Sequence, residues 1–385
     1  MTSSFTGRGL TSRKGRYDSL PRGVVGSHPA WLNGPVPIEG NWPVISLFSG
    51  AGGLDLGFRW AGFEPRLAID SDSAAVATYR KNHPRTYTCQ LDLSMIDPND
   101  LVTLWKNFED NKPPFGLIGG PPCQAFSVSN VHKKKDDKRG MLLVTYATIV
   151  QRLASDIGLD FFVFENVPGL ASTEHIRVFH KFRSMCESAG FKLHVKLLDA
   201  GKFGIPQRRV RLIVVGINEQ RFPNLNLILS EGGKDPLPSR SVLSGLPEPV
   251  YFSRNSEVNE IPYHPNHISM MPKSSKFIKG HLSPGDHRGR SFRVLTWDEP
   301  SDTVAYGHRE VHIHPQMHRR LSVFEAMLLQ GFPKWYELKG TLSQQIALVS
   351  NAVPPPLARG IANTISQTLG YVNNVTTEPN LTKTG

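Results

Sequence analysis

Cys123 is the last residue of a turn, residues 119–123 (GGPPC), that follows a short apolar run. Residues 115–118 predict a buried strand, and the glycines and prolines end it because proline cannot donate to a sheet ladder. A thiolate attacks electron-poor carbon well when a neighbouring group lowers its pKa. Cys123 is therefore a candidate nucleophile, although a loop cysteine can also be an ordinary buried thiol that packs as a small apolar residue.

A glutamate occupies a comparable position after another apolar run. Residues 161–164 (FFVF) predict a strand that is buried on both faces, and Glu165 follows them directly. Burial disfavours the charged form of a carboxyl group and raises its pKa. Glu165 could then hold a proton near neutral pH and donate it to a substrate. The alternative is a glutamate that caps the next helix.

Two arginines alternate with apolar residues at the start of a further strand. Arg209 and Arg211 are separated by one residue, so their side chains are expected on the same face of that strand. Guanidinium groups on an interior strand require anionic partners. The candidates are Glu165, the Cys123 thiolate and a phosphate group.

The elements that position these residues begin with a strand, a glycine-rich turn and a helix. Residues 44–48 predict the strand, and residues 49–55 (SGAGGLD) the turn, which together resemble the first unit of a doubly wound sheet. Free N–H groups at the helix N-terminus favour an anion. The third glycine of the dinucleotide fingerprint is replaced by Asp55, which argues against a pyrophosphate and for a smaller cofactor that carries a carboxylate.

Acidic residues follow the next two predicted strands. Asp70 ends the strand 66–69, at the position where such folds bind ribose hydroxyl groups. Asp92 follows residues 87–91 and would suit an adenine amino group. Each aspartate alone could be a cap or turn residue, but their recurrence at successive strand ends favours a cofactor site.

Composition limits the class of protein. The chain has 385 residues, enough for two domains, and its net charge of +11 favours a polyanionic partner such as nucleic acid. Three widely spaced cysteines show neither a disulfide framework nor a paired metal pattern, as is typical of a reducing cytoplasm. The sequence shows no apolar stretch long enough for a membrane span and no signal-peptide core.

Three other segments differ from this pattern. Residues 1–41 predict a basic, loosely ordered arm, and the polar, basic residues 128–140 predict a mobile loop that could close over a phosphate backbone. Residues 217–318 are rich in Pro, Gly and His and match no motif. His312 and His314 could bind a metal, but the absence of nearby cysteines and of regular ligand spacing favours contacts with DNA.

Taken together, the motifs resemble those of the DNA (cytosine-5)-methyltransferase family. They occur in the family's order over residues 44–216: Phe48 to Gly53 (FSGAGG), Pro122 to Gln124 (PCQ), Glu165 to Val167 (ENV) and Gln207 to Arg211 (QRRVR). Residues 320–333 look like the family's ninth motif and residues 343–353 like its tenth. Ser350 is a departure, because the family usually has Gly before the asparagine.

The resemblance implies an α/β fold with a doubly wound, mostly parallel sheet of the Rossmann-like, S-adenosylmethionine-dependent methyltransferase class. Its catalytic and cofactor-binding domain would be residues 42–216, completed by a C-terminal helix over 343–370. A second, smaller domain would be residues 217–342, with the target-recognition region at about 217–318. Residues 371–385 would form a flexible tail.

The resemblance also implies the reaction. The methyl group of S-adenosylmethionine would pass to C5 of a cytosine flipped out of double-stranded DNA, while Cys123 adds to C6 and Glu165 contacts N3. Arg211 would contact O2 of the base and the Glu165 carboxylate, and Arg209 would support the same cluster. Cofactor-binding residues would be Phe48, Gly50, Gly52, Gly53, Asp70, Asp92, Pro122, Leu142, Asn351 and Ala352. DNA-binding residues would be Ser129, Arg139, Gln207 and Thr303.

No metal is expected. The protein would be a monomer in the prokaryotic cytoplasm. Its partner would be DNA, and a restriction endonuclease that acts separately would be a further partner.

Three alternatives remain. A tRNA methyltransferase of the same family typically carries a Cys-Phe-Thr tripeptide in the variable segment, and this chain does not. A catalytically silent DNA-binding protein would not need intact Cys123, Glu165 and Arg211. A small-molecule methyltransferase would not need the basic loop or the long insertion.

Overall fold

The structure is a computed structural model. It describes residues 29–109, 111–122, 139–173, 175–252, 261–270, 283, 285, 287–288, 292–303, 312–317 and 319–371. Cys123, Ser129, most of the predicted loop, residues 1–28 of the predicted arm and residues 372–385 of the predicted tail lie outside these ranges. The side chain of Arg139, at the start of a helix, is likewise outside the description.

A seven-stranded sheet forms the centre of the fold, in the order β3-β2-β1-β4-β5-β7-β6. Its pairs are parallel except that β7 runs antiparallel to both β5 and β6. The predicted doubly wound, mostly parallel sheet is confirmed. The strands are β1 (Trp42–Leu47), β2 (Phe63–Asp70), β3 (Tyr87–Gln90), β4 (Gly116–Gly119), β5 (Phe161–Asn166), β6 (Phe191–Asp199) and β7 (Val210–Asn218).

Helices cover both faces of this sheet, because alternate residues of its central strands are apolar. In β5 every residue is buried, with Phe161 and Val163 in one core and Phe162 and Phe164 in the other. The second core is covered by α3 (Pro98–Phe108), α4 (Arg139–Asp156) and α5 (Ile176–Ser188). The first is covered by α1 (Gly53–Trp60), α2 (Ser73–Asn82), α6 (Arg240–Leu243), α7 (Val323–Leu329), α8 (Leu342–Asn351) and α9 (Pro355–Thr368).

Side-chain caps fix where several helices begin. Asp72 accepts hydrogen bonds from the N–H groups of Ala74 and Ala75, so only two residues separate the end of β2 from the start of α2. Ser322 opens α7 and Thr341 opens α8, each through a capping box in which the third helical residue bonds back to the cap. These caps place the helix ends that surround the sheet's carboxyl edge.

The C-terminal helix packs against the first helix. A Cβ atom at Gly57 would lie 2.4 Å from Cβ of Ala358, so α1 and α9 approach closely at a residue without a side chain. The same packing brings the carbonyl group of Val353 against Gly53, where an added Cβ would be 2.2 Å from the oxygen. The connection between α8 and α9 therefore lies beside the glycine-rich turn.

Part of the predicted N-terminal arm is packed. Residues 30–33 form a 3-10 turn in which Trp31 and Leu32 are buried. The indole N–H of Trp31 donates to the carbonyl of Gly204 at 2.9 Å, and the N–H of Lys334 donates to that of Leu32 at 2.9 Å. The loosely ordered arm thus does not extend to these residues, because two large apolar side chains bury there.

The variable segment begins on the central sheet and continues as two small sheets. Lys192 and Lys196 of β6 donate to the carbonyls of Leu225 and Leu229, which holds this stretch along the edge strand. β8 (Val250–Tyr251) pairs with β9 (Ile268–Ser269). A three-stranded sheet contains β10 (His287–Arg288), β11 (Phe292–Val294) and β12 (His312–Ile313). Among the described residues, no helix combines the length and apolar character that a membrane crossing requires.

Candidate active site

A cavity of about 340 Å³ lies over the carboxyl ends of β1, β2, β4 and β5. The strand order reverses between β1 and β4, and such a switch point is where doubly wound sheets bind ligands. Its walls are the glycine-rich turn after β1, the turn after β2, the Gly-Pro turn after β4, the end of β5, and α8 with the residues that follow it. Of the predicted site residues, Phe48, Gly50, Gly53, Asp70, Pro122, Glu165, Arg211, Asn351 and Ala352 line it.

The turn after β1 has an uncommon backbone conformation. Phe48 has a φ of 53°, which is sterically costly for a bulky residue and persists where surrounding structure imposes it. Gly52 has a φ of 76°, and a Cβ there would lie 2.6 Å from the hydroxyl of Tyr336. That hydroxyl donates to the carbonyl of Ala51 and lies 3.0 Å from Nε2 of His83. Gly52 itself does not line the cavity, so its role is to permit this close approach.

Asp70 is oriented by backbone donors on both sides of the cavity. Its carboxylate accepts from the N–H of Gly50 at 2.8 Å and from the N–H of Asp72 at 2.9 Å. Burial raises the pKa of Asp70 above its usual value, while these hydrogen bonds oppose the rise. The side chain therefore holds a fixed position at the end of β2, as the prediction of a ribose-binding acid requires.

Glu165 and Arg211 form a buried ion pair at the other end of the cavity. Nε of Arg211 lies 2.9 Å from Oε1 of Glu165, and both side chains are largely shielded from solvent. Burial raises the pKa of Glu165, and the charges of Arg211 and Arg209 oppose this rise. A Cβ at Gly120 would lie 2.9 Å from Oε2, so the glycine admits the carboxyl group beside the turn that leads to Cys123. This arrangement can hold a proton or share one with a bound base.

Arg209 points away from this pair. Its guanidinium is fully buried and donates through Nη2 to the carbonyls of Ser350 and Ala352, at 2.8 and 2.9 Å. The Arg209 charge also acts on Glu165, and the expectation that both arginines serve one anionic cluster stays a prediction. Gln330 also donates to Ala352 and to Val349. These donors satisfy carbonyls that the end of α8 leaves unpaired.

We expect Arg209→Met to destabilise the protein through these carbonyls. A buried acceptor left without its donor costs about 1–3 kcal/mol, so the free energy of unfolding should fall by at least about that amount. Arg208→Met is the matched control, because Arg208 is the exposed neighbour in sequence. Urea unfolding of both variants checks this, and equal stability of the two would contradict it.

Besides Gly52, two predicted cofactor residues, Asp92 and Leu142, do not line the cavity. Asp92 is exposed, and its Oδ1 accepts from the N–H and the hydroxyl of Ser94, which lowers its pKa. Leu142 is half-buried in α4 and does not line the cavity. Asp92 thus has the local bonding of a turn residue, one of the alternatives that its sequence position left open.

Two of the predicted DNA-binding residues, Gln207 and Thr303, have side chains that the structure describes. Gln207 is buried, at 0% exposure, and its expected contact with DNA stays a prediction. Thr303 is partly exposed, and its hydroxyl donates to the carbonyl of Arg208 at 2.8 Å. Arg208 and Ser301 are also joined through their backbones at 2.9 Å. The variable segment therefore attaches to the strand that carries Arg211.

Both histidines of the variable segment are buried, and His314 belongs to an ionic network. His314 is 3.8 Å from Oε1 of Glu325 and packs edge-on against Trp297. Glu325 accepts from both terminal nitrogens of Arg319 at 2.8 Å, and Arg319 holds its pKa below the usual value against the effect of burial. This network joins the three-stranded sheet to the start of α7, so these buried charges have a structural role.

The fold is the Rossmann-like fold of S-adenosylmethionine-dependent methyltransferases, and solved structures agree. A crystal structure described as a DNA modification methyltransferase encoded within an E. coli prophage aligns with a TM-score of 0.68 and 26% identity, over 85% of this chain and 99% of that one. The Dnmt2 methyltransferase of S. pombe shares the fold, with a TM-score of 0.57 and 17% identity over 86% of this chain.

The model of the C-5 cytosine-specific DNA methylase family matches residues 42–367, and the chain belongs to this family as a DNA (cytosine-5-)-methyltransferase. Type II methyltransferase M.NmeDI of Neisseria meningitidis serogroup C is 31% identical over 361 residues, which cover 85% of this chain and 84% of the relative. M.MthTI of Methanothermobacter thermautotrophicus is 31% identical over 359 residues, 87% of this chain and 100% of the relative.

The sequence analysis missed residues that act on the site from a distance. Tyr336 holds the glycine-rich turn, and Gln330 holds the α8–α9 connection. Gln330 falls within residues 320–333, which resemble the family's ninth motif, and this resemblance could have identified it. Tyr336 has no local pattern that connects it with residue 51.

Proposed function

We propose that the enzyme methylates C5 of a cytosine flipped out of a specific double-stranded DNA sequence, through an intermediate in which Cys123 is bonded to C6. The observation that carries this proposal is the buried Glu165–Arg211 pair beside the turn that leads to Cys123. An acid at this position serves a substrate that enters the cavity, and a base within a duplex can enter only when it leaves the stack.

Each protein group has one task in this proposal. The Cys123 thiolate forms a bond to C6, which moves electrons onto C5 and N3 of the ring. Glu165 holds or gives a proton at N3, and Arg211 donates to O2 while it orients the Glu165 carboxyl group. C5 then takes the methyl group, and S-adenosylhomocysteine is the leaving product. Loss of the C5 proton afterwards expels the cysteine and restores the aromatic ring.

The cavity suits S-adenosylmethionine, which supplies an electrophilic methyl group when bound. Its volume of about 340 Å³ is in the range of small-molecule sites. Phe48 would pack on the adenine, Asp70 would bind the ribose hydroxyls, and Gly50, Gly53, Pro122, Asn351 and Ala352 would surround the remainder. We propose that Asp92 and Leu142 lie near the adenine end of the cofactor and that Gly52 permits the conformation of the glycine-rich turn. The proposed chemistry needs no metal.

Sequence recognition is assigned to residues 217–318, within a smaller domain at 217–342. The net charge of +11 supports binding to the DNA backbone. We propose that Ser129 and Arg139 approach DNA near the flipped base and that Thr303 lies at the edge of the recognition region. The enzyme would act as a monomer, and the Type II relatives support a separately acting restriction endonuclease as its partner.

We expect DNA that contains 5-fluorocytosine in the target sequence to trap the enzyme covalently. Fluorine cannot leave as a proton does, so the bond between Cys123 and C6 should persist once the methyl group has been transferred. A denaturing gel should show a protein–DNA adduct that requires S-adenosylmethionine. The Cys123→Ser variant should form none, and absence of the adduct with the unmodified enzyme would contradict attack at C6.

A further inference from the structure

A buried carboxyl group in the cavity wall has one oxygen for which the described part of the chain provides no hydrogen-bond partner. Asp55, the third residue of α1, is 1% exposed and lines the cavity together with Ser46 of β1. Its Oδ1 accepts from the hydroxyl of Tyr79 at 2.8 Å. Within the described ranges, Oδ2 of Asp55 and Oγ of Ser46 have no hydrogen-bond partner. A buried carboxylate in this condition is costly unless something else pairs with it.

The position of Asp55 along the cavity indicates which group would pair with it. A ribose would lie at Asp70, and the transferred methyl group must reach the end where Glu165 stands. The cavity between these ends passes over the β1–α1 turn, so the amino-acid portion of the cofactor would lie there. Its carboxylate matches the free N–H groups at the start of α1. Its ammonium group requires acceptors, preferably one with a negative charge.

We propose that Asp55, together with Ser46, binds the α-ammonium group of the methionine portion of the cofactor. This inference rests on the proposed function, because it takes S-adenosylmethionine as the occupant of the cavity. The ammonium group would donate to Oδ2 of Asp55 and to Oγ of Ser46. The hydroxyl of Tyr79 holds Oδ1 and so fixes the carboxylate orientation.

The groups around Asp55 allow it to carry the negative charge that this pairing needs. Burial raises the pKa of Asp55 to about 6, while the nearby Ser46 hydroxyl, the Tyr79 hydroxyl bonded to Oδ1 and the charge of Arg59 on the same helix oppose this rise. The pKa of His83 is held well below its usual value by burial, and the pKa values of Tyr79 and Tyr336 are well above theirs. These three groups therefore stay neutral while Asp55 titrates.

Two probes separate the ammonium contact from the rest of the site. S-adenosylhomocysteine carries the amino-acid portion, whereas 5′-methylthioadenosine has the same adenine, ribose and thioether but lacks the ammonium and carboxylate groups. We expect Asp55→Asn to weaken binding of S-adenosylhomocysteine by about tenfold or more, as loss of a buried charge pair does, and to leave methylthioadenosine within about twofold. Isothermal titration calorimetry gives both dissociation constants.

The unmodified enzyme provides a second measurement that does not depend on how the variant folds. The ionised form of Asp55 binds the ammonium group, so affinity for S-adenosylhomocysteine should fall as the pH drops through about 6. Asp70 titrates in the same cavity, but both probes carry a ribose and share its effect. Affinity for methylthioadenosine should therefore fall less over this range.

Each outcome decides between the hypotheses. A variant that loses affinity for both probes equally, or for neither, overturns the ammonium contact and leaves Asp55 as a structural partner of Tyr79. If the variant does not fold, identical pH dependences of the two probes with the unmodified enzyme overturn it as well. Failure of both probes to bind the unmodified enzyme overturns the proposed function and this inference with it.

Discussion

Replacement of Cys123 by serine is expected to abolish methyl transfer to DNA while the cofactor still binds. A serine hydroxyl has almost the size of the thiol but ionises far less readily, so it does not attack C6 at neutral pH. Transfer of tritium from labelled S-adenosylmethionine should fall to the background of the assay. The dissociation constant of S-adenosylhomocysteine should stay within about twofold, because the proposed cofactor contacts do not include Cys123.

Cys89→Ser is the matched control for this variant. Cys89 lies half-buried in β3, away from the Glu165–Arg211 pair, so its replacement by the same residue should leave the rate nearly unchanged. Turnover by Cys123→Ser at the rate of the unmodified enzyme would refute nucleophilic attack by this residue. A parallel loss in the Cys89 variant would instead indicate general damage to the protein.

Replacement of Glu165 by glutamine is expected to lower kcat by about 10²- to 10⁴-fold, the usual contribution of a positioned acid. Glutamine keeps the size of the side chain but cannot give a proton to N3, and it leaves Arg211 without its charged partner. Since burial raises the pKa of Glu165, its protonated form persists to a higher pH than that of an ordinary glutamate and is lost as the pH rises through that pKa. The corresponding decline of kcat toward alkaline pH should disappear in the variant.

Glu187→Gln, on the exposed side of α5, makes the same chemical change where no role in catalysis is expected. Single-turnover rates across pH 5–9, with thermal unfolding of each variant, would test the assignment. A Glu165→Gln enzyme that keeps the rate and the pH profile of the unmodified protein would exclude Glu165 from proton transfer. Loss of the folded state alone would show in the unfolding curves.

Residues at strand ends could be predicted because their positions follow from local patterns. Apolar runs of four to six residues, ended by glycine, proline or an acid, identified the strands that carry Asp70 and Glu165. In a doubly wound sheet such strand ends lie along one edge, so these side chains were expected in one cavity. The structure places both there, together with Arg211.

Side-chain partners were less predictable, even for residues whose strands were assigned correctly. The alternation rule put Arg209 and Arg211 on one face, but Arg209 precedes β7, and its long side chain extends to carbonyls near residue 351. Gln207 was expected at the DNA surface, yet the contact between its turn and Ser301 buries it. No local sequence pattern predicts either outcome, because both depend on which distant segment of the backbone packs against these two side chains.

The amino-acid sequence by itself determined the fold class, the order of the strands along the chain and the acids at their ends, since hydrophobic periodicity and turn residues act over short distances. Only the tertiary structure decided how the glycine-rich turn is held, because its supports come from segments far away in the chain. Tyr336 contacts Ala51, and Val353 contacts Gly53, once α9 packs on α1. Tertiary packing likewise buries Asp55, where Tyr79 of α2 holds its Oδ1 and, among the described residues, its Oδ2 has no hydrogen-bond partner. Burial disfavours the charged carboxylate and raises its pKa to about 6, which the local sequence around residue 55 does not predict.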